Sequence, residues 1–369
     1  MRSHPIVAAC FVFTLVAACA DDVDSQSDPQ TTDAEAEDWE PEYADGVLQP
    51  LPDGFPDHEI TLVNVDEAGS RDGIFARTLD QVLADISPVD IIVSDEPATQ
   101  GGTMPVVAGM DTRDGGLDGY FPVIVSIGGA AQDFHIEPLE DELGITLDDV
   151  NFFIAMEVHA YALAQRADAP WEPSFEAFVE YAQAHPGELR YISPGVGAGQ
   201  DIFMEWIMSE LDVEVTKIPA ADHESAMAAV GAGEGDFTMN RPELAGPAQE
   251  QGRVDIIMVT TQDVPEVWAD NPGLISAKDF AAHGLPDEAT WGSVLGFAAP
   301  AEVPDLHIQW LTELFTAATE TDTYQERPDT LTGMQIQLLD AEEANSVAHR
   351  VYEFTEPIVR AVGLHHEDN

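Results

Sequence analysis

The chain has 369 residues, of which 44% are hydrophobic; this fits two compact lobes and excludes wholesale disorder. Its 70 acidic residues against 13 basic ones give a formal net charge of −57. Such a surface repels phosphate backbones, which argues against nucleic-acid binding, and it repels itself unless salt screens it, so a salt-loving source is expected.

The amino terminus reads as an address. Arg2 is followed by an apolar run from Ile6 to Val16, too short to span a bilayer and of signal-peptide length. Val16-Ala17-Ala18-Cys19 resembles the bacterial lipobox, in which small residues precede a cysteine that becomes lipid-modified. Residues 1–18 are therefore expected to be a lipoprotein signal peptide and Cys19 the lipidation site. The only other cysteine is Cys10, so no disulfide holds the mature fold. The stretch from Ala20 to Gly46 is acidic, contains no Lys or Arg, and has few aliphatic residues. Residues 19–55 are accordingly expected to form a disordered tether.

Beyond the tether, Ile60–Val65 predicts a strand and Ile74–Ile86 a helix with an apolar stripe. A second strand is expected over Val89–Val93, a helical segment from Gly101 to Met110, and a third strand over Tyr120–Ile127. Val150–Gln165 reads as a strand pair or one long strand. Ser174–His185 reads as a capped helix stopped by Pro186-Gly187. Leu189–Ser193, a glycine-rich turn from Pro194 to Gly199, and a helix over Asp201–Leu211 repeat the pattern. Alternation continues through Val254–Thr260, Trp291–Phe297 predicts another strand, and two amphipathic helices, Pro304–Thr319 and Ala341–Ala361, close the chain. Strand–helix alternation in both halves predicts parallel sheets in two similar α/β lobes.

An ordered set of motifs then resembles the Bug-type receptors of tripartite tricarboxylate transporters, over about residues 56 to 363. The set begins with Ile60-Thr61-Leu62-Val63 and the loop from Ala68 to Arg77. It continues through Pro97, Gly101-Gly102-Thr103, Asp118-Gly119-Tyr120, Pro186-Gly187, the turn Ser193 to Gly199, Gly233-Glu234-Gly235-Asp236, and Trp291 to Pro300. The resemblance implies a periplasmic-binding-protein type II fold, with residues 56–153 and 275–363 as lobe 1, 154–274 as lobe 2, and a tail at 364–369. It implies a non-catalytic, monomeric receptor, exported and lipid-anchored. Such a receptor takes a di- or tricarboxylate or related organic acid to the membrane subunits of a secondary transporter, with no cofactor and no metal. A sensory receptor of the same fold and a secreted hydrolase are the alternatives. The chain carries no nucleophile-elbow, phosphate-loop or paired-cysteine motif.

The two glycine loops would act as pincers whose backbone N–H groups hold a carboxylate. The first supplies Glu67, Ala68, Gly69, Ser70, Arg71, Asp72 and Gly73. The second supplies Ser193, Gly195, Gly197, Ala198, Gly199 and Gln200, and the resemblance adds Ser126, Gly128, Asp222 and Asn240. Several positions depart from the family pattern: Asp66-Glu67 in place of apolar residues, Asp72 one place before the usual acid, the added Arg71, Asp201 in place of a His, and Asn240 in place of an acid. Arg71 could clamp a carboxylate through a bidentate pair or could neutralise Asp66 or Glu67. Glu157, His159 and Tyr161 alternate along one face of a strand and could line the cleft.

Overall fold

The structure, a computed structural model, describes residues 39–66, 68, 70–97, 103–285, 292–327 and 331–368. The expected signal peptide, Cys19 and the first half of the tether lie outside the described residues. Trp39 packs against the buried core and a hairpin follows it, with residues 40–46 exposed, which corrects the tether's extent. Strands β1 (Tyr43–Ala44) and β2 (Val47–Leu48) form a hairpin around Asp45-Gly46, both at positive φ. Leu48, Leu51 and Phe55 are buried, and the Trp310 indole N–H donates to the Gln49 carbonyl at 2.9 Å. Apolar residues spaced among acids gave this stretch too little hydrophobicity to read as folded; the partner surface is supplied by a helix some 260 residues later.

The first lobe is built on β3 (Ile60–Asn64), α1 (Arg71–Leu83), β4 (Ile91–Asp95), α2 (Met104–Ala108), β5 (Val123–Ser126), α3 (Ile127–Ile136), α4 (Leu139–Leu143) and β6 (Val150–Ala160). The second follows with β7 (Ala162–Arg166), α5 (Phe175–Ala184), β8 (Arg190–Ser193), α6 (Gly199–Glu210), β9 (Thr216–Pro219), α7 (His223–Gly231), β10 (Phe237–Asn240), α8 (Pro242–Glu250) and β11 (Val254–Val259). The chain then returns to the first lobe through β12 (Gly292–Pro300), α9 (Asp305–Thr319), α10 (Asp322–Gln325), β13 (Met334–Leu339) and α11 (Ala341–Ala361).

The lobe 1 sheet has the order β13-β6-β12-β5-β3-β4, and the lobe 2 sheet β11-β7-β10-β8-β9. Strand β3 runs parallel to β4 and β5, and β8 parallel to β9 and β10. All five residues of β3 are buried, as a strand covered on both faces requires. Strand β6 pairs with β12 along its full length, from Val150 opposite Pro300 to Ala160 opposite Gly292. The passage between sheets therefore falls at Tyr161, not at the expected boundary of 153/154. The pairing is tight at Gly296, where a Cβ would stand 2.0 Å from the Ile154 carbonyl oxygen, so only glycine fits.

Helix α3 follows β5 without a connecting loop, and its Gly128-Gly129 made it invisible to propensity. Helix α8 carries Pro242 at its start and Pro247 inside, and also escaped the sequence reading. The expected tail is ordered through residue 368: His365 is 3% exposed, with its ring 5.6 Å from that of His135.

Candidate functional site

Strands β3 and β5 run parallel in one sheet and β8 and β10 in the other, so within each pair the carboxyl ends share one edge, the position where open α/β sheets place ligands. On the lobe 1 side, Ser70 caps α1, its Oγ accepting the Gly73 N–H at 3.1 Å. Arg71 occupies the first helical position, with its side chain 11% exposed, and its Nε donates to Asp72 Oδ1 at 2.8 Å. Gly73 is buried, and its carbonyl accepts from Arg77 at 2.7 Å. Ala68 is exposed, while Glu67 and Gly69 lie outside the described residues. Ser126 ends β5 and its hydroxyl lies 2.8 Å from that of Ser293 on β12. Gly128 faces Val351 of α11. A small cavity of about 270 Å³ is lined by Asp66, Asp72, Ser126 and Asp133. Burial pushes the Asp133 carboxyl up to about 7, against a backbone bond from Thr103 that pulls it down.

On the lobe 2 side, the glycine turn is self-contained. Gly197 takes φ +81°, and its N–H donates to Asp201 Oδ2 at 3.0 Å. The Asp201 side chain is fully buried, and its Oδ2 also accepts from Lys217 Nζ at 2.6 Å. The second pincer thus directs at least one of its N–H groups at a carboxylate of the protein. Ser193 is buried, with Oγ 3.4 Å from the Gly195 nitrogen. Ala198 is the N-cap position of α6, and Gln200 is buried within its first turn. Gly199 abuts Tyr161: a Cβ there would stand 2.7 Å from the phenolic oxygen. Asp222 is exposed and caps α7, accepting the Ser225 N–H at 2.7 Å. Asn240 is fully buried; it donates to the His223 carbonyl at 2.9 Å and accepts the Arg241 N–H at 2.8 Å, so it positions these two residues.

The groups that converge at the centre are Arg71 from lobe 1, His223 and Arg241 from lobe 2, and Tyr161 at the crossing. Tyr161, His223 and Arg241 all feel the charge of Arg71. Burial pulls the Arg241 guanidinium below its ordinary value, and the positive charge of Arg71 pulls it further. Burial, then Arg241 and Arg71, push His223 down to about 3, so its imidazole is neutral. Burial pushes the Tyr161 phenol up to about 12 despite both arginines. Arg241 Nε and His223 Nε2 are buried, and neither has a hydrogen-bond partner among the described residues. Elsewhere Arg77, Arg113, Arg166, Arg190, Arg327, Arg360, Lys217 and Lys278 all sit against carboxylates.

Glu157 and His159 are part of a closed network. Arg327 forks onto Glu157, with Nη2 2.9 Å from Oε2, and His159 Nε2 lies 2.8 Å from the same oxygen. Burial pushes Glu157 up, but the bonds from His159 and Arg327 outweigh it and hold the carboxyl low. The charge of Arg71 reaches both His159 and Tyr161, but of the three alternating residues Tyr161 alone lines the larger cavity. Sequence reasoning missed Arg241; the available signal was a basic residue just ahead of a Pro-initiated helix in a chain so short of bases.

A larger cavity of about 920 Å³ lies between the lobes, with Tyr161 and Gly199 at one end and α11 along one side. Among the described residues, no group of three or more His, Cys, Asp or Glu side chains could hold a metal, and no helix is long and apolar enough to cross a membrane.

A sequence profile of the family described as "Tripartite tricarboxylate transporter family receptor" matches residues 75–364. A Cupriavidus necator protein described as "UPF0065 protein in gbd 5'region" is 25% identical over 280 residues, covering 74% of this chain and 78% of its own. The R. palustris protein Rpa4515 with adipate has a TM-score of 0.66 at 18% identity, covering 84% of this chain and 98% of the other. MatC (Rpa3494) from Rhodopseudomonas palustris with bound malate has a TM-score of 0.60 at 18% identity, covering 83% and 100%. At these identities the structural likeness speaks for the fold, two α/β lobes facing a common cleft.

Proposed function

The chain belongs to the tripartite tricarboxylate transporter receptor family, and from that premise we propose that it captures an organic carboxylate between its lobes, with Arg71 and Arg241 as the anion anchors. The observation that carries this reading is the meeting of two guanidiniums, one from each lobe, one of them with a buried and unpartnered Nε. Arg71 is paired with Asp72, but the Arg241 Nε has no partner among the described residues, and a buried guanidinium so placed is costly until an anion joins it. A carboxylate shared between the arginines would satisfy both and draw the lobes together, giving the closed form that a membrane partner can recognise. Adipate and malate in structurally similar proteins support a carboxylate as the guest.

In this reading Ser70, Asp72, Asn240 and the glycine turn of lobe 2 orient the anchors rather than touch the ligand. Tyr161 and Ser126 remain available as donors at its edge. The receptor works in the periplasm as a monomer, held to a membrane through a lipid on Cys19, and it performs no chemistry on its guest. A thermal-shift screen of organic acids in high salt tests the proposal: a ligand at about 100 times its Kd adds about 2.7 kcal/mol of stability. Arg241→Met should abolish that shift while leaving the fold intact, because the Arg241 Nε makes no hydrogen bond among the described residues. An unchanged shift in Arg241→Met would remove the arginine pair from the site.

A further inference from the structure

The cavity of about 920 Å³ beside the last helix is built differently from the arginine site. Neither Arg71 nor Arg241 lines it, and all its charged lining residues belong to α11, where they are exposed. Arg350, the one base among them, donates to the Ser346 hydroxyl at 2.7 Å. The rest of the lining is uncharged. Within it Gln132 of α3 is 2% exposed, and its Oε1 has no hydrogen-bond partner among the described residues. A Cβ on Gly199 would stand 2.7 Å from the Tyr161 hydroxyl oxygen and 4.0 Å from Gln132 Oε1, so two polar tips gather over one bare backbone position. Apolar walls complete the space. Val158 and Val294 come from the lobe 1 sheet, and the Trp206 ring meets the Phe354 ring edge to face, with centroids 5.5 Å apart.

We propose that this cavity is a second binding site, for an uncharged aromatic compound that carries a hydrogen-bond donor. The proposal goes beyond the carboxylate reading and does not rest on it. A buried carbonyl oxygen left without a donor is costly, and an N–H or O–H of the guest would satisfy Gln132. The apolar walls would take the ring, in the usual pattern of a pocket with a few convergent polar groups. An anion fares worse: it would leave water for a space whose one base already donates to Ser346, with no cation at Gln132 to meet it. Gln132 belongs to lobe 1 and Trp206 to lobe 2, so the guest touches both lobes.

Ligand-observed NMR titration of the intact protein in about 2 M KCl with benzamide and benzoate tests this. The two share a ring and a shape; benzamide brings N–H donors, and benzoate brings a charge. In Arg241→Met, which removes the anion anchor, benzamide should bind as it does to the parent protein and at least about tenfold more tightly than benzoate. Gln132→Leu should weaken benzamide about tenfold. Phe354→Ala, at an exposed position, should weaken it by a similar factor and reads the same cavity should the buried substitution unfold the chain. Benzamide that fails to bind, or that binds equally to the folded Gln132 and Phe354 variants, would overturn the second site and leave the carboxylate reading standing. Loss of benzamide binding in Arg241→Met would overturn it too, by joining the cavity to the arginine site.

Discussion

Asp201 fills from within the turn that the sequence presents as open to an outside anion: its carboxylate is 3.0 Å from the Gly197 nitrogen and 2.6 Å from Lys217 Nζ. The arrangement gives the turn a resident anion and that anion a resident cation. Asp201→Ala strands Lys217 with Glu205 alone and leaves the Gly197 N–H without its acceptor. It should cost about 3 kcal/mol in urea unfolding, while carboxylate affinity stays within about threefold, since the anchors lie elsewhere. The double variant Asp201→Ala/Lys217→Met should be less destabilised than the sum of the single ones.

Glu157 and Arg327 form the buried counterpart in lobe 1, both almost wholly shielded from water. Glu157→Gln leaves a guanidinium without its charge partner and should cost about 3 to 5 kcal/mol. Chemical denaturation with the slope held constant is the measurement; a loss under 1 kcal/mol would show that water reaches Arg327.

Titration of two buried histidines should withdraw stability as pH falls below 6.5, against an opposing gain from Asp133, whose carboxyl, raised to about 7 in the folded state, takes up its proton over the same range. His159 and His223 are both held low by burial, so the folded state keeps them neutral while the unfolded chain takes up protons below its ordinary value of 6.5. The stability these groups contribute is complete above 6.5 and is withdrawn on acidification until pH reaches the folded-state value, about 3 for His223. At pH 5 His223 should have cost about 2 kcal/mol. His223→Gln should remove the His223 share of that loss, about 2 kcal/mol at pH 5. Glu157, held low by its partners, adds a further loss only below its unfolded value near 4.5.

Gly199→Ala tests the contact between the second turn and the crossing residue. Backbone strain is not the issue, because only the Tyr161 hydroxyl obstructs a methyl group there. The phenol should be pushed out of place, raising the Kd for carboxylate about tenfold with under 1 kcal/mol lost in stability. Equal affinity would show that Tyr161 does not border the ligand.

With 70 acids against 13 bases, repulsion between surface carboxylates should dominate the salt response. The melting temperature should rise from about 0.1 M to about 2 M KCl as the screening length shortens. A higher melting temperature in dilute buffer would contradict the salt-adapted reading.

The parts of this fold legible in the sequence were those written in local chemistry. Ile60–Asn64, the capped helix after Ser174 and the long amphipathic helix at 341–361 announce themselves through apolar runs, caps and periodicity. Helix α3 did not, because two glycines sit in its first turn and the preceding strand runs straight into it. At the site, Arg71 was visible as an unusual base in a glycine loop. Its partner Arg241 was not, since what distinguishes it is a buried Nε with no hydrogen-bond partner among the described residues. Asp201 and Asp222 show the converse: acids in plausible binding loops, one turned inward to a lysine and the other capping a helix.

The last helix has a mechanical consequence. Phe354 leans on Trp206 of the opposite lobe, and the Leu364 side chain packs beside Gly197. A swing wide enough to part these pairs would wet the surfaces between them, at about 25 cal/mol for each Å² of apolar area exposed. The hinge therefore behaves as a sprung joint, with a resting angle set by the chain's own terminus and a stiffness that can be tuned at Phe354 without touching the jaws.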